Sequence, residues 1–293
     1  MTARRDTLTG VALVVLYTGA ISIADAITKK IAGGFEAPQL FALSGLAVAC
    51  LCLLVSRPAG QVPKTQYPVA TLLRSVCGVV GSVAFFLSFR HLPMAEVFLF
   101  IGLMPIISAT LSGPVLGEKL RPGSWGALAV GLLGTVFLFP SGFEDIGIGH
   151  AVALFAAVTG SFSLVLARFV SRREPGSLAQ VFYPNLMLGA VMCVALPYVW
   201  LPMAWMDWAL VGAYSVALFA ARWICILALR LLPVHVVTLL MSLQFLWMVW
   251  LGHRFFGEQP GLHVYIGAIV VAGAGAVLVV QRLAPQQDAK VAT

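Results

Sequence analysis

Long apolar stretches separated by short polar segments make up most of the chain. There are uncharged runs of 20, 22 and 32 residues, bounded by Glu36 and Arg57, by Arg121 and Glu144, and by Glu174 and Asp207. A helix rises about 1.5 Å per residue, so each run is long enough to cross a hydrocarbon layer of about 30 Å. Transmembrane β-strands would be about 10 residues long with alternating polarity, so the pattern predicts helices.

Charges, prolines and glycines divide this pattern into ten predicted membrane-spanning helices. The predicted spans are Leu8–Thr28, Pro38–Ser56, Pro68–Phe89, Met94–Leu116, Gly123–Phe139, Gly149–Phe169, Leu178–Leu201, Trp208–Leu229, Pro233–Gly252 and Gly261–Val280. The start MTARRD and the apolar run after it are similar to a signal peptide. Because nine further spans follow, we interpret this segment as an uncleaved first helix. The predicted fold class is an all-α polytopic membrane protein.

The composition agrees with a chain that is solvated by lipid. Hydrophobic residues make up 60% of the sequence and charged residues 10%, whereas soluble domains carry about 25% charged residues. The net charge of +7 is spread over short loops, so we predict no nucleic-acid partner. With the N-terminus inside, twelve of the Lys and Arg residues lie on the cytoplasmic side and four outside, which predicts cytoplasmic termini.

The chain also repeats itself at an offset of 140 residues. Leu87–Glu118 and Leu227–Glu258 are identical at ten of 32 positions, including Arg-x-Leu-Pro near one end and Gly-Glu at the other. Five predicted helices form one unit, and the two units span residues 8–139 and 149–281. Because five is odd, the second unit enters the membrane from the opposite face. Such inverted repeats are typical of carriers that open a shared central site to each face in turn.

These motifs resemble those of a known family. The Arg-x-Leu-Pro turn, the Gly-Glu pair and the glycine-spaced helices GSWGALAVGLLG and GLHVYIGAIVVAGAG are similar to those of the EamA-type exporters of the drug/metabolite transporter superfamily. The likeness is closest to exporters of amino acids, including aromatic ones. It implies ten helices in two repeats, an inner-membrane location, and a central cavity lined by the first, third, fourth, sixth, eighth and ninth helices. We expect the chain to act as a monomer on a small-molecule solute.

Polar groups inside a membrane require a reason, so they supply the first candidates for the cavity. Two hydroxyl pairs occupy equivalent positions in the first and sixth helices, Thr18 with Ser22 and Thr159 with Ser163. Alternatively, these hydroxyls bond their own backbone where helices pack closely. Gln244 lies near mid-bilayer, opposite Met104 in the repeat, and Ser242 lies on a different face of the same predicted helix. A glutamine that bonds a neighbouring helix is the alternative.

Arg222 and Arg74 lie about two turns inside the predicted eighth and third helices. Arg222 is a candidate for holding a carboxylate through a bidentate contact, although snorkelling to the surface is the favoured interpretation of both arginines. Aromatic rings supply the remaining candidates for stacking on a solute, and packing is their alternative role. These rings are Tyr17, Phe85, Phe100, Tyr214 and Trp247.

Among the acids, only Asp25 and Glu96 lie within predicted helices, so they are the candidates for proton coupling. An ion pair of Asp25 with Lys29, four residues on, is the favoured alternative. Glu118 is expected to have a structural role such as capping a helix. The sequence has no phosphate-binding loop, no HExxH and no CxxC pair, so we predict no cofactor, metal site or catalytic residue. A membrane-embedded enzyme or lipid-handling protein on the same scaffold is the second functional hypothesis.

Overall fold

The structure is a computed structural model that describes most of the chain. It covers residues 2–56, 63–92, 94–118, 122–137, 147–174 and 176–256, with ten further residues between 266 and 280. Within these residues there is no β-strand. The helices are α1 (Thr2–Ala32), α2 (Ala37–Ser56), α3 (Pro68–His91), α4 (Met94–Leu116), α5 (Pro122–Phe137), α6 (Ile148–Ser171), α7 (Leu178–Val199), α8 (Trp205–Leu231), α9 (Val234–Met241) and α10 (Gln244–Phe256).

Six of the described helices are long and apolar enough to cross a membrane. They are α1 from Arg5 onward, and α2, α3, α6, α7 and α8 over their whole lengths. Shorter apolar segments lie in α4, at Phe100–Leu116, and across α9 and α10, at Val234–Trp247. The predicted all-α polytopic architecture is therefore confirmed. Of the tenth predicted span, ten residues are described, all of them helical, and the rest lies outside the described residues.

The ninth predicted span differs from expectation because it consists of two helices. α9 and α10 are joined by a turn at Ser242 and Leu243. The N–H groups of these two residues donate to carbonyls three positions earlier, those of Leu239 and Leu240, at 3.1 and 3.0 Å. This i→i−3 bonding tightens the backbone into a 3₁₀-type turn. The turn contains neither glycine nor proline, so its composition carries no signal for the division.

The helices pair in a pattern that is unchanged when each is exchanged for its counterpart in the other predicted repeat. α1 packs on α8, α3 packs on α6, and α2 packs on α7. The pair α3 with α7 corresponds to α2 with α8, and α4 with α6 corresponds to α1 with α9 and α10 together. Two copies of one unit related by a two-fold axis predict this symmetry, because each contact between the halves then recurs when the two copies are exchanged.

The closest approach of backbones occurs where α2 crosses α7. A Cβ atom placed on Gly45 would lie 2.7 Å from the amide nitrogen of Gly189 and 2.8 Å from the carbonyl oxygen of Asn185. Both contacts are with backbone atoms, so no side chain can rotate to make room. Small residues at such crossings allow membrane helices to pack closely through van der Waals contacts.

We expect Gly45→Ala to lower the free energy of unfolding by about 1–3 kcal/mol, as overpacking of a tight contact does. The matched control is Gly78→Ala in α3, where a Cβ would meet no atom within 4 Å. There the substitution should stabilise the helix by up to about 1 kcal/mol through the higher helix propensity of alanine. Thermal unfolding of the purified protein in detergent measures both changes. Equal shifts of the same sign would contradict the proposed crossing.

Candidate functional site

A cavity of about 210 Å³ lies inside the helix bundle. α1 supplies five lining residues, α3 four, α8 three and α4 two, with one each from α2, α6, α9 and α10. These are the helices that the family resemblance implies, with α2 in addition. The lining reaches Thr28 and Phe89, near the last residues of α1 and α3, and in α8 it extends to Arg222, nine residues before Leu231. The cavity is therefore displaced toward the end of the bundle where α1 and α3 terminate.

Aromatic rings form much of the cavity wall. Phe85, Phe86 and Phe89 line it from α3, and Phe41 lines it from α2. The rings of Phe41 and Phe86 are in edge contact, with centroids 5.7 Å apart and planes at 71°. Such a wall offers ring faces and edges to an apolar or aromatic part of a bound molecule.

The carboxylate of Asp25 lines the cavity from α1 and is held by an amide from α10. Gln244 donates from Nε2 to Oδ2 of Asp25 at 2.5 Å. Gln244 is 4% exposed and is the first residue after the turn that divides the ninth span. The turn therefore places a buried amide donor opposite a membrane carboxylate. The described chain gives this carboxylate Gln244 as a partner, and its predicted ion pair with Lys29 stays a prediction.

A guanidinium lines the same cavity. In the part of the chain that the structure describes, Arg222 makes no hydrogen bond and no salt bridge, and its side chain is partly buried. The phenols of Tyr17 and Tyr214 also line the cavity, and both lie within Coulombic range of Asp25 and of Arg222. The two tyrosines thus occupy the space near both charged groups.

The depths of the two charges follow from the antiparallel packing of α1 and α8. Gly10 of α1 packs against Leu232, directly after the end of α8. Counting along both helices from this contact places Asp25 level with residue 217, five residues from Arg222. At about 1.5 Å per residue, the two backbone positions differ in depth by about 7 Å. The carboxylate therefore lies nearer the end where α1 terminates, and the guanidinium lies deeper.

Charged groups close the opposite end of the bundle, where α4, α6 and α8 terminate. Arg168 of α6 forms a salt bridge with Glu118 at 3.0 Å, and their side chains are 8% and 15% exposed. Arg168 also donates to the carbonyl of Leu229 in α8 at 2.5 Å, and the more exposed Arg172 reaches Glu118 at 3.2 Å. The structural role predicted for Glu118 thus takes the form of an ion pair that joins α4 to α6.

A second buried carboxylate lies at this end. Glu174 is 4% exposed, and its Oε2 accepts from the hydroxyl of Thr65 and from the backbone N–H of Gln66, both at 2.9 Å. Thr65 and Gln66 lie just before Tyr67, the residue that precedes α3, so the contact ties the segment after α6 to the start of α3.

Arg74 is buried among helices and does not snorkel, so that interpretation is wrong. Its side chain is 8% exposed and donates to the backbone carbonyl of Gln180 in α7. The carbonyl of Arg74 in turn accepts from Ser163 at 3.1 Å. Arg74 also lies within Coulombic range of Arg222. Of these two arginines, only Arg222 lines the cavity.

The structure brings together about half of the side chains predicted for the site. Those that line the cavity are Tyr17, Asp25, Phe85, Met104, Tyr214, Arg222 and Gln244. Those outside its lining are Thr18, Ser22, Phe100, Thr159, Ser163, Ser242 and Trp247. The side chain of Glu96 lies outside the described residues. As contacts of a solute, all of them stay predictions.

Three of the hydroxyls outside the lining bond the backbone of their own helix, as in the alternative interpretation. Thr18 donates to the carbonyl of Val15 and Ser22 to that of Thr18, each at 2.7 Å. Thr159 donates to the carbonyl of Phe155 at 2.9 Å. Such bonds satisfy the hydrogen-bonding capacity of the hydroxyl within its own helix, so the surface of that helix can pack against a neighbour.

Two rings outside the lining have other surroundings. Phe100 packs edge-on against His150 of α6, with ring centroids 6.2 Å apart. Trp247 is 43% exposed and lies beside Gly19 of α1. Ser242, in the turn itself, has a buried hydroxyl for which the described residues offer no hydrogen-bond partner.

Several lining residues carry no signal in the sequence. Phe41, Phe86 and Phe89 are apolar in an apolar chain, so neither hydropathy nor depth distinguishes them from packing residues. The spacing of Phe85 and Phe89, one helical turn apart, is the one signal that would have extended the predicted wall along α3.

Comparison with known proteins shows which proteins this chain resembles. The profile of the EamA-like transporter family matches residues 8–139. The pseudopaline exporter CntI of Pseudomonas aeruginosa, in strains UCBPP-PA14 and PAO1, is 24% identical over 270 residues, which cover 90% of this chain and 94% of CntI. A crystal structure of another protein, 21% identical, aligns over 96% of this chain and 99% of its own with a TM-score of 0.74, so the two share a fold. Residues 8–139 of this chain therefore match the EamA-like transporter family.

Proposed function

We propose that the protein is a secondary transporter that exports small metabolites, amino acids including aromatic ones among them, by alternating access. It does so as a carrier and not as an enzyme, and it acts as a monomer in the inner membrane. The observation that carries the proposal is a cavity inside a membrane bundle that combines aromatic walls with a carboxylate and a guanidinium. The names of the family and of CntI support transport, and the name of CntI supports export.

The arrangement of the two ends supports alternating access. The cavity extends toward the end where α1 and α3 terminate, whereas Glu118, Arg168 and Glu174 tie helices together at the other end. With the N-terminus and the C-terminus in the cytoplasm, as the distribution of Lys and Arg favours, the tied end is the cytoplasmic one. We propose that this conformation faces outward and that breaking these ties opens the cavity inward.

The duplicated unit supports an inward-facing state of similar architecture. Because the main helix pairs between the two units are symmetric, exchanging the conformations of residues 8–139 and 149–281 would keep these pairs among the described helices. The cavity would then be displaced toward the opposite end, and a solute bound at its centre would cross the membrane.

Counterflow in proteoliposomes tests the function. Liposomes that contain only this protein and a high concentration of unlabelled phenylalanine are expected to accumulate labelled phenylalanine transiently, because a carrier exchanges solute across the membrane. Protein-free liposomes and proteoliposomes without internal phenylalanine are the controls. If no proteinogenic amino acid shows exchange, the proposed substrate class is wrong. Turnover of a lipid by the same preparation would favour the membrane-enzyme hypothesis.

A further inference from the structure

The cavity contains two opposite charges that do not neutralise each other. Asp25 accepts from the neutral amide of Gln244, and Arg222 has no hydrogen-bond or salt-bridge partner among the described residues. A charge inside a membrane is costly unless it is paired or hydrated. The arrangement therefore leaves a negative end and a positive end open to a molecule of complementary charge.

We infer that this cavity recognises a zwitterion at both ends, with its ammonium on Asp25 and its carboxylate on Arg222. The inference rests on the proposed function and names how the substrate class is selected. The carboxylate of Asp25 uses Oδ2 for Gln244, which leaves Oδ1 for an ammonium group. The guanidinium of Arg222 offers parallel N–H donors that match a carboxylate in a bidentate contact.

The space between the charges suits the rest of such a molecule. Tyr17 and Tyr214 line the same cavity, and a phenol can donate a hydrogen bond to a carboxylate or accept one from an ammonium. The wall formed by Phe85, Phe86 and Phe89 faces the same cavity and accommodates an apolar or aromatic side chain. Ligand pockets for drug-sized molecules measure about 300–1,000 Å³, so a cavity of about 210 Å³ fits a single amino acid.

A set of three matched solutes tests the recognition. Phenylalanine, phenethylamine and 3-phenylpropionate share a ring and a two-carbon chain, but the second lacks the carboxylate and the third lacks the ammonium. In proteoliposomes that perform phenylalanine counterflow, we expect each analogue to inhibit labelled phenylalanine uptake at least about tenfold more weakly than phenylalanine does. This expectation follows from the loss of one charge-assisted contact. Equal inhibition by all three would overturn the inference while leaving the carrier function intact.

Two substitutions test which charged group of the solute binds Arg222 and which binds Asp25. In Arg222→Gln, phenethylamine should inhibit as well as phenylalanine does, while 3-phenylpropionate stays weak. In Asp25→Asn, 3-phenylpropionate should equal phenylalanine, while phenethylamine stays weak. The controls are Arg90→Gln and Asp207→Asn, which remove the same charges at positions outside the cavity lining, where Arg90 pairs with Glu36 and Asp207 caps the start of α8.

The outcomes separate the inference from the proposed function. The inference is supported if Arg222→Gln no longer distinguishes phenylalanine from phenethylamine and Asp25→Asn no longer distinguishes phenylalanine from 3-phenylpropionate. It is overturned if the folded variants keep the wild-type discrimination or lose it in any other pattern. Elution of each variant from a sizing column as a single peak establishes folding. If either variant misfolds, Arg222→Lys and Asp25→Glu replace it, and they should retain the wild-type order of the three solutes with weaker inhibition. Absence of exchange with every solute would refute the proposed function instead.

Discussion

Glu118→Ala is expected to lower the free energy of unfolding by about 3–5 kcal/mol, because it removes a carboxylate that pairs with the buried guanidinium of Arg168. The side chain of Arg168 is 8% exposed, and it donates to Glu118 and to the carbonyl of Leu229. When one partner of a buried pair is removed, the other stays desolvated but loses the attraction that offset this cost. The change should appear as a lower midpoint of thermal unfolding in detergent.

The exposed pair of Glu36 and Arg90 provides the control. Arg90 donates to both carboxylate oxygens of Glu36 at 2.8 Å, which is a bidentate contact. The side chains of Arg90 and Glu36 are 37% and 42% exposed, so Glu36→Ala should cost at most about 1 kcal/mol. Raising the salt concentration should diminish the small effect of Glu36→Ala more than the large effect of Glu118→Ala. Equal destabilisation by the two substitutions would contradict the buried pair.

Helix positions follow from the sequence because the length of an apolar run is set by the membrane. The predicted span Met94–Leu116 coincides with α4, and Pro38–Ser56 differs from α2 by one residue. α1 extends beyond its predicted span to Ala32, since polar residues at its ends continue the hydrogen-bonded backbone past the apolar segment. The turn at Ser242 and Leu243 had no local signal, because a helix interrupted without glycine or proline depends on contacts with other helices.

The site was predictable only as far as depth and polarity identify it. Gln244 stood out because an amide near mid-bilayer requires a partner, and the structure supplies Asp25, 219 residues away in sequence. Local spacing instead pointed to Lys29, since an ion pair four residues apart is visible in the sequence and a contact between α1 and α10 is not. From the sequence, Gln244 and Trp247 are equal candidates for the cavity, yet only Gln244 lines it. The reason is that the turn determines which face of α10 points inward.

Gln244→Ala is expected to raise the half-saturation concentration for phenylalanine about tenfold to a hundredfold. A hydrogen bond to a charged group contributes about 1.5–3 kcal/mol, and each 1.4 kcal/mol corresponds to a factor of ten. Without the amide, the carboxylate of Asp25 regains a partner by taking up a proton or by turning toward Arg222. Either response removes the negative charge from the position at which the cavity presents it to a solute. Counterflow at varied external phenylalanine measures the change.

The control for this substitution is Leu246→Ala, two residues further along α10. The side chain of Leu246 is 49% exposed and does not line the cavity, so its truncation tests whether any change in α10 disturbs transport. We expect a half-saturation concentration within about twofold of the wild type, as for a surface substitution of small energetic effect. A wild-type value in Gln244→Ala would mean that the carboxylate is oriented without the amide. In that case the turn between α9 and α10 would shape the helix packing but not the binding of solute.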